Sequence, residues 1–436
     1  MTFEEAKDYL VREARARSVD VEVLADSHRQ LSVSMNDGRV AELKHATQGG
    51  VGVRAVIDGK VGYASTESLD EESLAWVLDE AIENAALQAG DGAVMIEGRA
   101  LGRHDLLGEG LSAPVEQKVE GIKRLEAGLR ADARVDAIAF ASYAESETQA
   151  VIGSTLGADG GYRNGYAYYA ASPVMKGGGS VKQGWDIDFS KEFHELDPGR
   201  TTLSILERVG RHLGATPLPT GRYRAYFESE VTGALLGLLL FSLSGKTLAE
   251  GKSRLAGKLG ARIASDLVTI VDDPTLVGGP ASRPFDAEGT PARRTEIVSR
   301  GVLRSFLHNS DTARRTGQPN TGHASRSYAS TLGVAPSNFM LETGAGVELT
   351  DGVIVTDLMG VHAGANPITG DASLQGLGLR VEGGETRPVD NFALSFNLFT
   401  LLERIDAIGS ESKWLPASNL VRAPMIAIDA LSFSGS

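Results

Sequence analysis

The sequence predicts an α+β protein, in which N-terminal helix–strand units with antiparallel sheets precede a β-rich C-terminal domain carrying one buried helix. Three observations predict it. An amphipathic helix at the start gives way to segments that alternate apolar and polar residues with period two. Glycine, at 52 of 436 residues, is frequent enough to require many tight turns. No regular succession of strand and helix calls for a doubly wound parallel sheet.

Taken in order, residues 3–17 place Phe3, Ala6, Leu10, Val11 and Ala14 on one helical stripe. Two alternating stretches then turn at Asn36-Asp37-Gly38, and a further pair turns at Asp58-Gly59. Asp70, Glu71 and Glu72 open a helix with Leu74, Val77, Leu78 and Ala81 on its apolar side. A loop at 89–111 leads to a second helix from "APVEQKVEG" and to strands at "DAIAFASYAES" and "TQAVIGST". The Gly-rich, aromatic stretch 161–186 continues as strands, with a flexible hairpin at 177–184. Asp197 caps the next helix and Pro198 occupies its first turn. A linker at 216–223 closes this half. The second half opens with an apolar helix at 228–243, continues as strands punctuated by Gly and Pro, and holds one more helix at 392–409. A chain of this length exceeds one compact core, and the expected domains are 1–105, 106–219 and 220–436.

Composition excludes several classes of function. With 57 acidic against 43 basic residues the formal net charge is −14, which repels a phosphate backbone, so no nucleic acid is expected as a partner. There is no cysteine, hence no disulfide, thiolate nucleophile or thiolate metal ligand. The start of the chain is charged and amphipathic, and no apolar run approaches the ~18 residues of a membrane span. A soluble, cytoplasmic protein with no membrane contact is expected.

The catalytic motifs are incomplete. His194-Glu195 begins a zinc-helix pattern, but Asp197 and Pro198 interrupt the helix that would carry a second ligand. No G-x-S-x-G turn occurs, and "GGGSVKQG" lacks phosphate-loop spacing. Asp272-Asp273-Pro274 reads as a turn after a strand, with metal binding as its alternative. The segment 283–294, "RPFDAEGTPARR", reads as a solvated turn with surface ion pairs. His308, His323 and His362 are isolated in the sequence and read as structural or surface histidines, or as dispersed ligands of a divergent metal site.

Several stretches of the second half, "VTIVDDPTL", "PFDAEGTPARRTEIVSRGVLRSFLHNSDTARR", "TGHASR", "APSNFML", "VIVTDLMG" and "NPITGDAS", together resemble the TldD/PmbA family in order and spacing. The resemblance implies a two-subunit metallopeptidase. TldD-like chains carry zinc on an H-E-x-x-x-H helix, with a third ligand from a cysteine near the C-terminus. The corresponding stretch here is "SEVTGA", where Ser229 and Ala234 stand in the two His positions and Glu230 keeps the Glu. Alanine has no lone pair to offer, serine is a poor zinc ligand, and the tail "GSESKWLPASNLVRAP" has no thiolate. The departure matches the TldE/PmbA branch.

The implied partners are therefore a TldD-like catalytic subunit, which would hold the zinc, and an extended peptide substrate; no cofactor is expected in this chain. A homodimer is expected when the catalytic partner is absent. Candidates for lining a peptide channel are Gly177, Gly178 and Gly179, Arg283 and Arg293, and His362 and Asn366. A metalloprotease active on its own and a protein-binding module of the DNA gyrase modulator type are the alternatives.

Overall fold

The computed structural model describes residues 1–90, 92–416 and 420–435. Among these described residues the first half is one sheet covered by four helices. Its elements are α1 (Phe3–Ala16), β1 (Asp20–Asn36), β2 (Arg39–Ile57), β3 (Lys60–Thr66), α2 (Glu71–Leu87), β4 (Ala100–Asp105), α3 (Val115–Arg130), β5 (Val135–Ser154), β6 (Asp159–Gly177), β7 (Ser180–Gln183), β8 (Asp186–Ser190) and α4 (Pro198–Gly210). Local chemistry sets the boundaries. Thr2 and Glu5 form a capping box on α1, the Asp70 carboxylate accepts from the Ser73 amide at the start of α2, and Asp197 caps α4 through Gly199. The two expected hairpins turn at Asp37-Gly38 and Asp58-Gly59, each with both residues at positive φ.

The strands run in the order β3-β2-β1-β5-β6-β4, with β7 and β8 also paired to β6. β1 and β5 pair antiparallel from Glu22↔Ser154 to Met35↔Ala141, so the two N-terminal units share a single sheet. Side chains alternate across it. On β1, Val21, Val23 and Ala25 pack with α1 and α2, while Leu31, Val33 and Met35 pack with α3. Both helix pairs thus cover one face, and Leu24 on the other face meets Phe285 of the C-terminal half.

Beyond it follow β9 (Thr216–Pro217), β10 (Gly221–Phe227), α5 (Ser229–Leu243), α6 (Gly245–Ala249), β11 (Ile270–Asp272), β12 (Thr295–Ser299), β13 (Val302–Leu303), α7 (Ser310–Thr316), β14 (Ala324–Ser325), β15 (Gly333–Val334), β16 (Phe339–Leu341), β17 (Gly352–Met359), α8 (Val361–Gly364), β18 (Asp371–Glu382), β19 (Glu385–Asn397), α9 (Leu398–Glu403), β20 (Ile405–Pro416) and β21 (Leu420–Ser434). Among the described residues β21, β10, β17, β18 and β19 form a ring, closed where Leu394 of β19 pairs with Phe433 of β21. Val231, Leu235, Leu236, Leu239, Leu240 and Leu243 of α5 belong to the core of this half. Leu238 and Phe241 of the same helix remain partly exposed.

Four expectations need correction. The loop at 89–111 contains β4, which pairs in parallel with β6. The linker at 216–223 contributes β9 and the start of β10. Of the helix expected at 392–409 only Leu398–Glu403 is helical, because the Asn397 side chain accepts from the Phe399 and Thr400 amides and starts the helix there. Finally, the segment 283–294 is not a solvated turn: Phe285, Asp286 and Glu288 are each at most 3% exposed.

Candidate functional site

The stretch that matches the zinc helix begins where β10 delivers the chain into α5. Glu228 stands at the helix N-cap, its amide donating to the Val355 carbonyl at 3.1 Å. Its carboxylate caps nothing on α5 and instead takes two hydrogen bonds from Arg211, at 2.7 and 2.6 Å. One turn earlier on α4, Arg208 pairs with Glu230. Lys413 of β20 adds a second cation, an ammonium 3.7 Å from the same carboxylate. These groups line a cavity of about 250 Å³, which Asp186 and Ser204 also enter.

The electrostatics follow from that arrangement. Burial disfavours the charged form of Glu230, but Arg208 and then Lys413 outweigh it and hold the carboxyl below its ordinary range. Behind it His212 is buried, its Nε2 3.2 Å from the Thr356 hydroxyl. Burial first, then Arg211 and Lys182, push its pKa down to about 4, so it is a neutral imidazole.

The donor set does not fit zinc. Ser229 contributes a hydroxyl and Ala234 a methyl, and the remaining carboxylate is committed to an arginine and a lysine that would repel a cation. Among the described residues no three His, Cys, Asp or Glu side chains gather as a metal would require. Residues 417–419 of the cysteine-free tail lie outside the described residues.

The other sequence candidates are dispersed. Gly178 and Gly179, both at positive φ, form the turn between β6 and β7, and Gly177 packs on Leu213. Arg293 is exposed and donates to the Asn320 carbonyl at 2.8 Å, while Arg283 is half-buried with Nε and Nη2 lacking hydrogen-bond partners. His362 is exposed on α8, and the Asn366 side chain closes a turn on the Ile368 and Thr369 amides. No hydrogen bond or ion pair connects these three groups among the described residues. His194 is exposed on a single 3₁₀ turn, and Asp273 bonds the Thr275 amide and hydroxyl as a turn residue should.

Two of the isolated histidines are brought together. The His323 ring links the Thr321 hydroxyl, at 2.8 Å from Nδ1, to the Asp272 carboxylate, at 3.1 Å from Nε2. The order hydroxyl, imidazole, carboxylate is that of a nucleophilic triad. Its members are nevertheless at most 6% exposed, and Thr321 also accepts from the His308 amide, which makes this a structural network. His308 is equally buried, between Thr312 and Gln318, and burial lowers its pKa.

Sequence reasoning named Ser229 and Glu230 but missed the cations that face them across the cavity. Arg208 and Arg211 read as the polar last turn of an amphipathic helix, and nothing local says that this turn meets α5. It also missed a buried charge cluster where the first sheet meets the C-terminal half. There Arg54 of β2 lies 3.8 Å from Glu22 and 3.6 Å from Glu288, and Arg326 donates to Glu22 at 2.6 Å.

Profiles described as PmbA/TldA metallopeptidase domain 1, central domain and C-terminal domain match residues 21–85, 108–214 and 220–435. The chain belongs to the PmbA/TldD metallopeptidase family. Among PmbA/TldD relatives, the metalloprotease PmbA of Escherichia coli O157:H7 is 27% identical over 94% of this chain and 91% of its own. A metalloprotease of Methanothermobacter thermautotrophicus is 27% identical over 89% and 88% of the two chains. A Thermotoga maritima crystal structure, named as a candidate modulator of a DNA gyrase, superposes with a TM-score of 0.90 at 26% identity, covering 99% of this chain and 100% of that one. TldE from Thermococcus kodakarensis shares the PmbA/TldD fold at a TM-score of 0.87 and 21% identity, covering 99% and 100%. No helix among the described residues is long and apolar enough to cross a membrane.

Proposed function

We propose that this chain is the TldE/PmbA-like, non-catalytic subunit of a two-subunit metallopeptidase that acts on unfolded or extended peptides. A TldD-like partner would carry the zinc, and the pair would work in the cytoplasm, which suits a chain without cysteine. The observation that carries the reading is the Arg208–Glu230 pair. Where the family's catalytic chain needs a cation held by two imidazoles, this chain supplies a guanidinium of its own, and its carboxylate is left with no bound water to polarise.

The test is co-expression with a TldD-like chain, with cleavage of an unstructured peptide followed with and without a chelator. The expected outcome is chelator-sensitive cleavage by the pair, none by this chain alone, and no stoichiometric zinc in it by elemental analysis. Glu230→Gln in this chain should leave the pair's activity within about twofold of the parent. Cleavage by this chain alone, or loss of activity in an assembled Glu230→Gln pair, would overturn the assignment.

A further inference from the structure

The basic residues of this acidic chain are not evenly spread. Segments 251–267 and 296–304 hold six, Lys252, Arg254, Lys258, Arg262, Arg300 and Arg304, against two acids, Asp266 and Glu296, although the whole chain carries a net charge of −14. All six are exposed.

The fold brings the two segments together. Leu255 and Ile263 anchor the first segment in the core of the C-terminal half, and the residues between them run over the surface through positive-φ turns at Gly257 and Gly260. The Gly260 amide donates to the Leu303 carbonyl at 2.8 Å and the Leu303 amide to the Ala261 carbonyl at 2.9 Å, which sets Arg262 opposite Val302. Arg304, two residues on, shares the face of Val302 and so of Arg262. Arg300 sits in the β12–β13 turn beside Gly301, whose carbonyl accepts from the Ile263 amide at 2.8 Å.

These charges lack counter-ions. Lys252 pairs with Glu250 at 2.7 Å, but among the described residues Arg254, Lys258, Arg262, Arg300 and Arg304 form no ion pair. Arg254 rests over the Phe399 ring, and Arg262 reaches only the Ala264 carbonyl. Like charges held close raise the energy of the free protein, and an anionic partner that covers them removes that cost.

The remaining side chains choose among anions. Neither segment contains an aromatic residue on which bases could stack, and neither presents a helix to a groove, while the acidic remainder of the chain repels a long polyanion. Leu259, 50% exposed, directly follows Lys258, and Leu267, 49% exposed, precedes Val268, whose carbonyl accepts from the Gly301 amide beside Arg300. Apolar contact is thus offered alongside the charge.

We propose that this surface binds an extended polypeptide segment in which acidic residues alternate with large apolar ones. The experiment follows fluorescence anisotropy of a labelled peptide of alternating glutamate pairs and leucines as the full-length chain is added. The peptide should bind, and more weakly as salt rises. Replacing its glutamates by glutamine should abolish binding, and replacing its leucines by serine should weaken it. Lys258→Glu alone, on an exposed turn, should weaken binding, and Lys258→Glu, Arg262→Glu and Arg304→Glu together should do so about tenfold or more. Arg262→Lys with Arg304→Lys, which keeps the charge, should bind as the parent does, and so should Arg387→Glu on the distant β19. Binding is read without cleavage, so the result is separate from the subunit assignment. No binding by the parent, equal binding of the glutamine peptide, charge reversals without effect, or tighter binding of an oligothymidylate of the same charge would each overturn the proposal.

Discussion

Glu288 shows how far a residue's behaviour can depart from what its neighbours in sequence suggest. In the run Asp286-Ala287-Glu288-Gly289 both acids look solvated, yet each is buried, and each takes one partner from a distant part of the chain. Asp286 receives the Glu288, Thr290 and Ala324 amides in place of water, and Glu288 receives the Ser310 amide at 2.9 Å. Burial, with repulsion from Glu22 behind it, pushes Glu288 up to about 7 despite Arg54. The folded state therefore favours the protonated acid. Its stability is highest below the ordinary value of 4.5 and falls as pH rises toward about 7. Glu288→Gln copies the protonated form, so denaturant unfolding of variant and parent should agree near pH 4.5 and the variant should be the more stable at pH 8. Equal stability of variant and parent at both pH values would show that folding does not shift this carboxyl.

Single elements were largely legible where their signals are local. Asn-Asp-Gly and Ile-Asp-Gly-Lys fix hairpins because only a few residue types accept the left-handed turn, and Asp70 and Asp197 mark helix starts by bonding the first free amides. Elements that depend on a remote partner were not. β4, "ALGRHD", is mostly exposed and has no alternation to betray it; only its pairing to β6 makes it a strand. The sequence singled out Glu230 through a family resemblance, whereas Arg208, which pairs with it, lies on a helix whose approach to α5 no local pattern announces. Packing between elements gives a sharper test at Gly62, on β3 beneath α2. A Cβ there would stand 1.9 Å from the Ala81 carbonyl oxygen and 2.4 Å from the Ala85 amide nitrogen, both helix backbone. Gly62→Ala should therefore cost about 3 kcal/mol, read as a lowered unfolding midpoint. No change would mean that α2 can shift off the sheet freely.

At the scale of the whole molecule the two halves are joined by a segment that the sequence presents as a loop. Phe285 enters between Leu24 and Ile152, its ring 5.4 Å from that of Tyr162, and Asn164 secures the same segment through the Pro280 and Ser282 carbonyls. Phe285→Ala should remove about 3–5 kcal/mol from this contact. Calorimetry should then resolve two transitions where the parent shows one, and limited proteolysis should cut within 283–294. A single transition at the parent's temperature would show that the charge cluster alone holds the halves together. β21 bears on the same cooperativity from the standpoint of synthesis. It pairs with β10, β16, β19 and β20, yet it leaves the ribosome after all of them. Until it arrives those strands have no common neighbour, so the C-terminal half must fold after its translation rather than during it, with its apolar strand faces in the care of whatever chaperones the cell supplies.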